Sequence, residues 1–139
     1  EELVLNKDVS LGQIGKGEHD RVMALVYVDN KLVNEILLKN GLAELFGAQT
    51  KAKETLSSAN KYARKKKLGI YEKCISIQPP NPGCDIKGNI HARDKTKIYH
   101  LPECPNYRNT QVETFRGEKW FCSEEEAKQA GFRKAGNCP

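Results

Sequence analysis

Residues 79–82 read Pro-Pro-Asn-Pro. Neither a helix nor a central strand can pass through them, because proline fixes its φ and has no amide hydrogen to donate. The segment 75–83 is therefore expected to be a linker between two small parts of the 139-residue chain, 1–74 and 84–139. The second part holds four of the five cysteines, Cys84, Cys104, Cys122 and Cys138. A module of that size with four cysteines calls for cross-links, either disulfides or zinc, to supplement a small core.

The first part carries strand signals early. Lys7 to Ile14 alternates, with Val9 and Leu11 on one face. Val22 to Val28 is an almost continuous apolar run, which predicts a strand buried on both sides. Asp29-Asn30 has the chemistry of a two-residue hairpin turn leading into Lys31–Val33. Asn34 to Asn40 reads as a short helix, with Gly41 suited to the left-handed position after it. Thr50 to Lys67 is the clearest helix: Ala52, Leu56, Ala59 and Ala63 form its apolar stripe, and Leu68-Gly69-Ile70 is a stop signal.

Order and chemistry together carry a resemblance. The run contains Arg21-Val-Met-Ala-Leu-Val-Tyr27, then Leu37-Leu-Lys-Asn-Gly-Leu-Ala43, then Ala59-Asn-Lys-Tyr-Ala-Arg-Lys-Lys-Lys-Leu-Gly-Ile-Tyr71. It resembles the later part of a staphylococcal-nuclease-type (thermonuclease) domain. The resemblance implies an OB-type barrel, which needs five strands to close. This chain supplies two or three, so the expectation is a partial OB-fold with its N-terminal strands missing, either open or completed by another segment or another chain.

The resemblance also implies metal-dependent hydrolysis of DNA or RNA phosphodiesters, with calcium as the metal. Such chemistry crowds negative charge onto phosphorus, and a guanidinium can donate two hydrogen bonds to that charge without losing its proton. By resemblance Arg21 is one of two arginines that do this. The second arginine, two calcium-binding aspartates and a water-activating glutamate belong upstream, and Glu1-Glu2-Leu3-Val4 corresponds to the tail of the helix that follows them. Glu18, Asp20 and Asp29 do not occupy the metal-ligand positions. The chain by itself is expected to cleave nucleic acid slowly or not at all. His19, where relatives carry an aromatic residue, reads as an exposed loop histidine.

Charge fits such a partner. The net charge is +5, and Lys61, Arg64, Lys65 and Lys66 cluster with Lys67 at the end of the long helix. There they complement the helix dipole and offer phosphate contacts.

In the second part, short strands are expected at Ile86–Ile90, Lys97–Tyr99 and Lys119–Phe121. Ser123 with Glu126 forms a capping box for a helix that Gly131 ends. Cys84-Asp-Ile-Lys-Gly-Asn-Ile90 resembles the start of a small domain often appended to thermonuclease-type proteins. Lys97-Ile-Tyr-His-Leu-Pro-Glu-Cys104, with the helix segment and Cys138, has a weaker likeness to the zinc module of Ada-type DNA-repair proteins. On that template His100 replaces the methyl-accepting cysteine and Ala135 replaces a ligand, so zinc would have to recruit His100, Cys104, Cys122 and Cys138. The same template makes Cys104 and Cys138 neighbours able to bridge, leaving Cys84 with Cys122. This disulfide pairing is the first expectation; zinc, and reduced thiols or other pairings, are the alternatives, and Cys74 stays free.

The fold class expected is α+β: a partial staphylococcal-nuclease-like OB-fold followed by a small cysteine-stapled α+β module. No apolar run approaches the roughly 20 residues that cross a bilayer, so no membrane partner is expected. The first residue is glutamate, which reads as a processed or trimmed chain. Disulfides would favour a secreted or periplasmic setting. A noncatalytic nucleic-acid-binding or interaction module is the alternative function.

Overall fold

The computed structural model describes residues 2–47 and 49–139, without the side chain of Glu18. It is an α+β structure with open sheets, and it divides into two compact units, Glu1–Gly69 and Ile70–Pro139.

In the first unit, β1 (Ser10–Lys16) pairs antiparallel with β2 (Val22–Val28), and β2 with β3 (Lys31–Leu32). The register of β1 shifts between Gly12 and Gly15, where Gln13 has a φ of 46°. Asp29 and Asn30 both take positive φ, 50° and 60°, as the tight turn between β2 and β3 requires. The run Val22–Val28 is not buried on both sides as expected. Val22 and Met23 are 69% and 57% exposed, and Leu25 and Val28 alone in β2 are buried. The physical reason is that, among the described residues of the unit, no second layer covers the start of this strand.

Helix α1 (Val33–Lys39) begins one residue earlier than its pattern suggested, and it ends in a Schellman motif. Leu42 N–H donates to Leu37 O, Gly41 N–H donates to Leu38 O, and Gly41 sits at a φ of +65°. Helix α2 (Lys53–Lys66) ends the same way with Lys67 in the left-handed position. Its stripe works as the spacing predicts. Leu56, Ala59 and Ala63 are buried, and Leu56 and Ala59 pack with Leu25 and Leu38, with Ala52 at the margin. The two helix ends touch through backbone: a Cβ at Gly41 would lie 2.1 Å from Leu68 O, and one at Gly69 2.2 Å from Gly41 O. The helix tail expected at the N-terminus is turn from Glu2 to Asn6, and Glu1 lies outside the described residues.

The second unit starts with α3 (Ile70–Lys73), whose Tyr71 is buried edge-on against Phe115. The segment expected to be linker starts with a strand, β4 (Ile75–Ser76), which pairs with β7 (Val112–Glu113). Residues 77–83, around the prolines, have no regular structure. A four-stranded sheet runs in the order β8 (Lys119–Phe121), β5 (Ile86–Ile90), β6 (Lys97–His100), β9 (Arg133–Lys134), with β9 parallel to β6. One face packs Ile86, Tyr99 and Phe121 against Ala127 of α4 (Glu124–Gln129) and against Phe132. The Ser123 hydroxyl accepts the Glu126 N–H, and the Glu126 carboxylate accepts the Cys122 N–H. This is the capping box moved one residue outward on its return bond.

Candidate functional site

Arg21 stands at the mouth of β2. A 3-10 turn over Glu18–Asp20 precedes it, with His19 and Asp20 both at positive φ, 58° and 57°. Two adjacent non-glycine residues in the left-handed region are strained unless the surroundings hold them. Here Gly17 N–H donates to Arg21 O at 2.8 Å and closes the turn. The Arg21 side chain is exposed and makes no hydrogen bond or ion pair among the described residues. Beside it, Lys16 and Asp20 form an exposed pair at 3.3 Å. His19 is exposed, as expected.

At the end of α2 the cations divide into two groups. Lys61, Lys65 and Lys66 are exposed. Arg64 is engaged with Glu44 at 3.0 Å in a part-buried pair. That pair ties the helix to the loop after α1, so Arg64 is less available to a phosphate than its neighbours.

The first unit has a cavity of about 570 Å³ lined by Ile14, Met23, Leu25, Leu37, Leu45 and Phe46 among others. Arg21 is not among its lining residues, and the cavity is chiefly apolar. The guanidinium therefore lies on an open surface and not in this cleft.

No three carboxylates converge among the described residues. Asp20 is taken up by Lys16, and Asp29 is exposed in the hairpin turn. The one group of metal-ligand types that does converge is His100, Cys104 and Cys138, within 4.8 Å of one another. Cys122 is not part of it, so the four-residue zinc set is not assembled. The end of β8 carries the Cys122 sulfur to Cys84 at the start of β5, at disulfide distance. Cys104 and Cys138 are likewise at disulfide distance, and Cys74 is free and half-buried.

The second unit holds a polar constellation that the sequence reading passed over. Alternation along the paired strands puts Lys87 and Asn89 of β5, Ile98 and His100 of β6, and Trp120 of β8 on the sheet face opposite α4. Lys87, His100, Glu113 and Glu118 are all buried. Lys87 donates to Tyr107 O at 2.8 Å and Thr110 O at 2.7 Å, and its ammonium lies 4.1 Å from the Tyr107 ring centre. Burial lowers its pKa. Glu118 accepts from Ile90 N–H, Glu113 N–H and the Asn89 amide, yet loss of solvent still raises its pKa. Burial, and then the charge of Lys87, lower the pKa of His100 and keep it neutral. Arg116 pairs with Glu113 at 2.8 Å. The signal that was available is the spacing of Lys87-x-Asn89 and Ile98-x-His100 in strands whose alternate residues are apolar.

Comparison with known families accords with this division. Residues 1–73 match the model of the staphylococcal nuclease homologue family, and residues 76–134 match the model named ArfC. The Ada-type likeness finds no support, since ArfC is the model that covers the cysteine segment. No curated protein and no solved structure matches the chain. At family level the match points to a nuclease-type or nucleic-acid-related role. With just over half of its length accounted for by that one model, the chain belongs to the staphylococcal nuclease homologue family.

Proposed function

We propose that the first unit serves the hydrolysis of nucleic-acid phosphodiester bonds, with Arg21 as the guanidinium that meets the phosphate. The observation that carries this reading is an exposed arginine, without a side-chain partner among the described residues, held by a left-handed turn at the mouth of β2. A guanidinium so placed can give two parallel N–H bonds to non-bridging oxygens and offset the charge that builds during displacement at phosphorus. Exposed Lys61, Lys65 and Lys66 add phosphate contacts along the strand. Because no three carboxylates converge among the described residues, residues 1–139 by themselves are proposed to hydrolyse slowly or not at all. A plasmid-nicking assay with calcium, with and without chelator, tests this. Little or no nicking is expected, and robust turnover abolished by Arg21→Ala would overturn it.

A second reading is noncatalytic: a nucleic-acid-binding or interaction module. Leu11, Ile14, Val22 and Met23 are exposed apolar side chains of β1 and β2, and because Val22 and Met23 are adjacent in β2 they leave apolar groups open on both faces of the sheet. On this reading they are where further barrel strands, from another segment or another chain, pack. Concentration-dependent self-association in sedimentation, lost on Met23→Lys, would favour a second copy as their source.

A further inference from the structure

We infer that the polar sheet face of the second unit is a binding site for a single nucleobase, which takes the inference beyond phosphate contact while resting on the nucleic-acid reading above. A cleft of about 420 Å³ opens on that face, wholly within the second unit, and both Asn89 and His100 line it. His100 is 6% exposed. Its Nδ1, and Oδ1 of Asn89, are buried atoms with no hydrogen-bond partner. Buried polar atoms are rarely left unmatched, because each costs its lost hydration. The rest of this layer is satisfied: Lys87 by two carbonyls and the Tyr107 ring, Glu118 by three donors, Glu113 by Arg116. Both unmatched atoms belong to residues that line the cleft, and they are not a sign of general poor packing.

Their placement defines what fits. Asn89 pairs with Ile98, and His100 lies two residues further along β6, so the two are diagonal neighbours on one face. Their backbones are then about 7–8 Å apart. Asn89 Oδ1 accepts a hydrogen bond. A neutral imidazole can carry its proton on Nδ1 and donate, or leave it bare and accept. The pair thus matches a flat edge that presents a donor beside an acceptor, as every nucleobase does. Ile98 and Ala92 supply apolar wall for the ring. Glu113 and Glu118 line the same cleft with Arg116, whose charge is already matched by Glu113, so the cleft offers a phosphate no uncommitted cation. The base enters, and its backbone stays outside.

The test is a titration of the isotopically labelled full chain, with its cysteines oxidised, by adenosine, cytidine and uridine. Ribose 5-phosphate and acetamide serve as comparison probes. The expected result is saturable shifts of the backbone amides of Asn89, Ile98 and His100 with nucleosides, and none with ribose 5-phosphate. Ala92→Trp, which fills the cleft and leaves every polar group in place, should weaken binding at least tenfold. His100→Leu, which removes the imidazole, should do the same. The inference is overturned if nucleosides produce no shifts, because the orphaned atoms then hold only water. It is overturned equally if ribose 5-phosphate binds as well, or if acetamide matches the nucleosides and points to a peptide amide. Oligonucleotide binding by wild type and Arg21→Ala, measured in parallel, separates the two readings. Loss of nucleoside binding alone removes the base site, whereas loss of the Arg21 effect alone removes the phosphate surface.

Discussion

Gly41 is where the first unit is most sensitive to a single carbon atom. Alanine there meets two costs. At a φ of +65° an L residue carries about 1–2 kcal/mol of strain. Its Cβ would also lie 2.1 Å from Leu68 O and 2.7 Å from the Leu68 carbonyl carbon, far inside contact distance, and both are backbone atoms that cannot swing away. Forcing the two helix ends apart is overpacking, worth about 1–3 kcal/mol more. The sum, about 2–5 kcal/mol, is a large part of the roughly 3–10 kcal/mol that a unit of this length holds. Gly47→Ala is the control: its φ is +51° but nothing lies within 4 Å, so it carries strain alone. Urea unfolding followed by far-ultraviolet circular dichroism, which α2 dominates in this unit, measures both. Gly41→Ala is expected to lose about 1–3 kcal/mol more than Gly47→Ala. Equal losses would refute the close approach of the two helix ends.

Four further outcomes follow from the second unit. Oxidised chain should have an intact mass four hydrogens below the reduced chain, two for each of the cysteine pairs at bonding distance, with Cys74 alone open to alkylation. Replacing Cys104 and Cys138 by serine should then cost about 3–4 kcal/mol for a loop of that length, and an unchanged urea midpoint would show that the bridge does not form. Ser123→Ala should cost about 1 kcal/mol by removing the cap on the Glu126 N–H, read as a lower thermal midpoint. Glu118 has a folded-state pKa above 4.5, chiefly from burial. The native state thus binds its proton more tightly than the unfolded chain, and this group's contribution is full below 4.5 and lost as pH rises through the folded value. Unfolding titrations across that window should show wild type losing stability relative to Glu118→Gln as pH rises, and parallel curves would contradict it.

Much of the architecture was legible because local signals were strong. The stripe of Leu56, Ala59 and Ala63, the turn at Asp29-Asn30, and the Ser123–Glu126 box each fix geometry within a few residues, where spacing alone decides. The strands β4, β7 and β9 were not legible, being two residues long and held by partners distant in sequence. Apolar content misled at Val22 and Met23, because a run of branched and sulfur-bearing side chains says how well a strand packs and not whether a second layer exists to pack on. Of the candidate site, Arg21 is proposed only through its neighbours in a long motif. The buried face of Lys87, Asn89, His100 and Glu118 was not legible as a unit: His100 was weighed only as a zinc ligand, lysine and glutamate are ordinarily solvated, and only the pairing of β5 with β6 puts Lys87, Asn89 and His100 together.

The central claim is that Arg21 meets a nucleic-acid backbone. Binding of the chain to a fluorescent single-stranded oligonucleotide over a series of salt concentrations tests it directly. A linear fall of log K with log salt is predicted, with Arg21→Ala flattening the slope by about 0.7 for the one phosphate contact removed. Binding that ignores salt, or a slope that Arg21→Ala leaves unchanged, contradicts it.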